Sequence, residues 1–133
     1  MEVIGVGLYV AGSMEAVRLY CDAFGMELGY HVLRQDGRGY YHSELMKDGQ
    51  PALSVVEADN HPGDNPVQLG FTFHSRETLN RAYELLRQGG EVEMEPQVLP
   101  WSPWAACLRD RFGVRWFISL PQHQPGDDFV PEV

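Results

Sequence analysis

The sequence predicts an α+β fold in which one βαβββ module occurs twice, and two observations predict it. The first is self-similarity: a shift of 63 residues brings the two halves of the 133-residue chain into register, placing Ile4, Val6, Leu8 and Val10 on Val67, Leu69, Phe71 and Phe73. The second is a change of apolar period. Strict alternation in those segments gives way to helical spacing, with Ala16, Tyr20 and Ala23 falling on Leu79, Tyr83 and Leu86. The same offset sets Leu53-Ser54-Val55 on Trp116-Phe117-Ile118, so it serves first strand, helix and last strand alike.

Taken in order, the first half predicts strands at 3–10, 28–34, 40–47 and 51–57 around a helix at 13–25. The second predicts strands at 66–73, 91–98, 103–109 and 114–120 around a helix at 76–88. A serine opens each helix, Ser13 or Ser75, with Glu15 or Glu77 in the first turn, and glycine closes each, at Gly25 and at Gly89-Gly90. Gly37 and Gly39 mark one hairpin, Asp48-Gly49 the next, and Phe112-Gly113 its counterpart. Residues 1–58 form module one, 59–65 a proline- and glycine-bearing linker, 66–120 module two, and 121–133 a tail with three prolines. A half of this size is too small for a secure core, so residues 1–120 are expected to form a single domain.

Composition excludes several classes of function. With 19 acidic and 10 basic side chains the net charge is −9. Residues 1–62 carry 9 acids and 4 bases, residues 63–133 carry 10 and 6, so the deficit is spread over the chain. A single lysine, Lys47, and scattered arginines provide no basic stripe for nucleic acid. No apolar run is long enough for a membrane helix, and Met1 to Gly5 lack the charged start of an export signal, so a cytoplasmic location is expected. Cys21 and Cys107 form no metal or redox spacing and read as packed thiols. There is no P-loop, no dinucleotide fingerprint after Gly5-x-Gly7, and no nucleophile elbow.

The duplicated βαβββ unit resembles the vicinal-oxygen-chelate superfamily of glyoxalase I, extradiol dioxygenases and bleomycin-resistance proteins. Leu8-Tyr9-Val10, Leu19-Tyr20 and Phe24-Gly25-Met26 resemble its first-half signature. Asp110-Arg111-Phe112-Gly113-Val114-Arg115-Trp116 is similar to the D-P-F-G-x-R-W of the PhnB-like branch, as is His42-Ser43-Glu44-Leu45 to its third strand. Arg111 replaces the usual proline, which is expected to loosen that turn. The resemblance implies a curved mixed sheet around a cavity, with helices on the outer face and ligand on the inner. It also implies a homodimer, which an exposed sheet edge in each module would favour.

Alternation then assigns the faces. Tyr9, Ser54, Gln68, Thr72 and Phe117 point inward with Gly5, Gly7 and Gly70, giving volume and hydrogen-bonding groups for a small-molecule ligand. The metal positions that the resemblance implies fall on Gly5, Ser54, Gln68 and Phe117, a set unable to hold a divalent ion, so neither metal nor other cofactor is expected. His42 and Glu44 share a strand face as a candidate acid/base pair, against the plainer reading of an ion pair. With His61, His74 or His123 they could instead imitate an iron triad, which would make a metal-dependent lyase or dioxygenase with unusual ligands. Trp101 and Trp104, between Pro100 and Pro103, form a candidate flat wall for a planar or cationic ligand, or else a dimer contact. With the acidic balance, that wall keeps open a drug-sequestering role similar to bleomycin resistance. Glu91, Glu93 and Glu95 alternate with Val92 and Met94 and read most simply as one solvated strand face, with a cation-binding rim as the sharper alternative.

Overall fold

A computed structural model describes residues 5–58 and 67–121. Ile4, His61 and His123, the linker 59–65 and all but the first residue of the tail lie outside the described residues. Contacts divide the chain into two units, one within residues 1–64 and one within 65–133.

The first unit runs β1 (Gly7–Val10), α1 (Ser13–Phe24), β2 (Glu27–Leu33), β3 (Tyr40–Lys47), β4 (Gln50–Glu57). Its sheet has the order β1-β4-β3-β2, with β1 parallel to β4 and the other pairs antiparallel. The second unit runs β5 (Gln68–Thr72), α2 (Arg76–Leu86), β6 (Glu91–Leu99), β7 (Ser102–Arg109), β8 (Arg115–Ser119), with the matching order β5-β8-β7-β6 and again one parallel pair. The parallel pair in each unit follows from the helix: a strand–helix excursion returns a later strand alongside the first in the same direction.

Each helix lies on one face of its own sheet. In unit one Ala16, Val17, Tyr20, Ala23 and Phe24 are buried against Leu8, Val10, Leu45 and Val55. In unit two Leu79, Ala82, Tyr83 and Leu86 face Ala106, Leu108, Trp116 and Ile118, all buried. The apolar stripe of β5 starts at Leu69, since Val67 precedes the strand and is 57% exposed.

Two expectations about the turns need correction. Ser13 does not cap α1. The N-cap is Gly12, which has no side chain to do so, and the Glu57 carboxylate at the end of β4 takes its place. One oxygen accepts from Gly12 N (2.9 Å), the other from Ser13 N and Oγ (both 2.8 Å), while Ser13 Oγ accepts from Tyr40 N at 2.9 Å. In α2 the cap is Ser75 itself, whose Oγ accepts from Thr78 N at 3.2 Å. The 63-residue shift sets Gly12, not Ser13, on Ser75. At the other end of α1 the lone lysine, Lys47, donates to the Phe24 carbonyl at 2.7 Å, a cation on the negative end of the helix.

Nor does Arg111 loosen its turn. The turn stays closed without proline because Asp110 ties it: Oδ1 accepts from Phe112 N (2.9 Å) and Val114 N (3.1 Å), and Oδ2 accepts from Trp116 Nε1 (2.9 Å). Backbone bonds from Asp110 N to Val114 O and from Gly113 N to Asp110 O complete it.

The outermost strands are irregular. β2 shifts register between Leu28 and His31 and between Val32 and Leu33; β6 shifts three times between Val92 and Leu99. These bulges overturn the reading of Glu91, Glu93 and Glu95 as one face. Glu93 pairs with Arg115, whereas Glu95 lies on the helix side beside Asn80, Tyr83 and Glu84 of α2. An extra residue in a strand breaks the period of two, so side chains beyond it change sides.

Candidate functional site

In each unit the helix covers one sheet face and leaves the other to side chains that are small or polar. Parallel pairing sets Gly7 against Ser54 and Tyr9 against Val56, and antiparallel pairing sets Ser54 against Glu44. Gly7, Ser54 and Glu44 therefore form a row on the helix-free face of unit one. Tyr9 is 64% exposed beside it. His42 shares that face because Ser43 and Leu45 point to the helix and are fully buried. Its Nε2 lies 3.7 Å from Glu44 Oε2, and the Tyr30 ring is centred 6.0 Å from the imidazole. Neighbours two apart on a strand are held on one face by the pleat, so His42 and Glu44 meet without any loop to position them.

The matching face of unit two carries Gln68, Gly70 and Thr72 from β5, set against Arg115, Phe117 and Ser119 of β8. Cys107 of β7 pairs with Phe117, and its thiol receives a hydrogen bond from Gln68. A Cβ built on Gly70 would meet nothing nearer than the Phe117 carbonyl at 3.9 Å, so there is room above the sheet. Arg115 grips Glu93 with two bonds, Nε to Oε1 at 3.2 Å and Nη2 to Oε2 at 3.1 Å. Those bonds, reinforced by the charges of Arg115 and Arg109, hold the Glu93 carboxyl below its usual range despite partial burial. Sequence reasoning missed Arg115 and Glu93: the arginine was visible only as part of a turn motif, and the bulge hid which glutamate it would reach.

Burial pushes the Cys107 thiol up, with Glu93 adding to it and Gln68 opposing; burial, Asp22 and Glu27 raise Cys21 likewise. Both free thiols are therefore expected to react with a disulfide reagent at pH 8 more slowly than free cysteine. A burst from either at the free-cysteine rate would contradict this.

Trp101 occupies the turn between β6 and β7 and is 50% exposed. Trp104 leans on α2, donating from Nε1 to Asn80 Oδ1 at 2.8 Å, with the Arg76 guanidinium 4.1 Å from its ring centroid.

The positions at which the fold family places metal ligands offer too little here. Gly5 has no side chain and Phe117 no donor atom, which leaves Ser54 and Gln68. One hydroxyl, from Ser54, and one amide do not make a divalent-ion site. Among the described residues no group of three or more His, Cys, Asp or Glu is placed to hold a metal ion. His74 follows β5 in unit two, and the triad partners His61 and His123 lie outside the described residues. Among the described residues no helix is long and apolar enough to cross a membrane.

Solved structures share this fold. Protein PA1353 from Pseudomonas aeruginosa matches with a TM-score of 0.77 at 20% identity, over 92% of this chain and 100% of that one. The PhnB protein from Bacillus cereus also gives 0.77, at 21% identity over 90% and 99%. The fosfomycin resistance protein FosX from Listeria monocytogenes gives 0.68, at 14% identity over 90% and 93%. No curated protein sequence matches the chain. The family model for the Glyoxalase/Bleomycin resistance protein/Dioxygenase superfamily matches residues 4–118, and with its two βαβββ units the chain belongs to that superfamily.

Proposed function

We propose that the protein binds a small organic molecule on the helix-free faces of its sheets, without a metal ion, in the manner of the PhnB-like branch. The observation that carries this reading is the floor of those faces: Gly7, Ser54 and Gly70 keep it low, while Tyr9, Gln68 and Thr72 supply hydrogen bonds around it. Phe117 offers apolar area on the same face as Gln68 and Gly70. FosX has been solved with Mn(II) bound; here the corresponding chemistry lacks its donors, so recognition rests on shape and hydrogen bonds. His42, with Glu44 at 3.7 Å, is the group on the unit-one face equipped to move a proton of a bound ligand. Trp101 and Trp104 stand outside this reading.

Equilibrium dialysis against a bacterial small-molecule extract, read by mass spectrometry, tests it. The wild-type protein is expected to enrich a compound equally with and without EDTA, and Gly70→Trp, which fills the space above β5, to lose that enrichment while keeping its melting temperature. Failure to enrich any compound, enrichment abolished by EDTA, or full retention by Gly70→Trp would each overturn the proposal.

A further inference from the structure

A second concave surface lies on the other side of unit two, where α2 meets the β6–β7 hairpin. It is a hollow of about 370 Å³ lined by Asn80, Tyr83 and Glu84 of α2, Glu95 and Pro96 of β6, and Trp104 of β7. That is the lower end of the volume range of small-molecule sites. Its walls combine an indole, a phenol and two carboxylates, the combination that recognises an organic cation by charge on one side and ring face on the other.

Three features build it. The β6 bulges turn Glu95 to the helix side, where its carboxylate makes no ion pair among the described residues. Glu84 is only partly answered, by Arg87 Nε at 2.9 Å on the exposed side of α2. The indole is fixed in place: its Nε1–H is bound to Asn80, and Arg76, which is not part of the lining, lies over the ring at 4.1 Å. Burial first, then the Glu95 carboxylate, hold the Tyr83 phenol above its usual range, so this lining residue adds no negative charge of its own.

We propose that this hollow binds a small organic ammonium ion, its charge against the Glu95 and Glu84 carboxylates and its carbon groups against the Trp104 ring. The volume suits a simple amine or quaternary ammonium compound and is too small for a large planar drug. The site is independent of the sheet faces on which the proposed ligand lies.

Choline is the probe, with its neutral carbon analogue 3,3-dimethyl-1-butanol as control, and the Trp104 indole N–H resonance is the readout. The resonance is assigned by its disappearance in Trp104→Phe. Millimolar choline is expected to shift it in a saturable way and the neutral alcohol to shift it little. Glu95→Gln, a change at an exposed carboxylate, is expected to weaken binding about fivefold, the factor that one screened charge pair supplies. Gly70→Trp, on the opposite face, should leave the titration unchanged even if it abolishes binding at the sheet. An unmoved resonance, an equal response to the alcohol, or an undiminished response in Glu95→Gln would overturn the proposal.

Discussion

Replacing Asp110 with alanine is expected to cost about 3–5 kcal/mol, the largest effect of any single polar substitution among the described residues. The carboxylate is 2% exposed and accepts from two backbone N–H groups and from the Trp116 indole. The groups it serves are themselves enclosed, since Phe112, Val114 and Trp116 are all buried. Alanine would leave three donors in a place that water does not reach, each at roughly 1–3 kcal/mol, with the sum reduced by relaxation of the turn. Asp110→Asn keeps one acceptor oxygen but turns an amide N–H toward another donor, so it should fall between wild type and alanine. Urea denaturation followed by tryptophan fluorescence measures both. A loss below about 1 kcal/mol for Asp110→Ala would show that the carboxylate is not what closes the turn. The run from Asp110 to Trp116 is thus a device for folding, with one exception: Arg115 leaves it to hold Glu93 on the helix-free face.

The second large effect is expected at Glu57. Alanine there removes the side chain that, among the described residues, answers the N-cap of α1, and should cost about 1–2 kcal/mol, as loss of a cap does elsewhere. Gly39→Ala should cost at least as much, for two reasons. Gly39 has φ of 120°, a conformation L side chains avoid, and its missing Cβ would collide with the Glu57 side chain. The two substitutions share one contact, so the double mutant should be more stable than the sum predicts. The sign of the pH dependence follows from the shift. Burial alone would raise the Glu57 carboxyl, but the Ser13 and Gly12 N–H groups, the Ser13 hydroxyl and Arg34 together hold it below its usual value. Its contribution is therefore complete above the ordinary carboxylate range and is lost as pH falls through the lowered value. Acid titration of stability should be shallower for Glu57→Gln than for wild type. Parallel curves would mean that the cap is made equally well by the neutral acid.

The fold was legible in the sequence because duplication wrote it twice. One offset aligns Leu8 with Phe71, Tyr20 with Tyr83 and Val55 with Ile118, and each of these pairs sits at matching places in the two units. Parity also placed Ser54, Gln68 and Phe117 on the helix-free faces, because β1, β5, β8 and β4 from Leu53 onward pair without a register shift, the one irregularity of β4 lying before Leu53. What escaped were contacts that depend on distant chain or on broken period. Glu57 caps a helix that begins 44 residues earlier, which no local cap signal at Ser13 could reveal. Glu95 and Trp104 were read from spacing on β6 and β7, where three register shifts had already changed the parity of one strand. The expectation of a metal-independent site rests on residue type, since glycine and phenylalanine have no ligand atoms wherever they point.

The irregular outer strands have a consequence for colloidal behaviour. β2 and β6 form one rim of each sheet, and in both the ladder is interrupted, by two shifts in β2 and three in β6. A straight rim would offer another chain a continuous row of N–H and C=O groups; a rim broken every two or three residues cannot seed a growing stack of strands. The exposed Leu33, Tyr30 and Val98 on these rims can thus face water without nucleating fibrils. The uninterrupted rims are β1 and β5, of four and five residues, too short to template one.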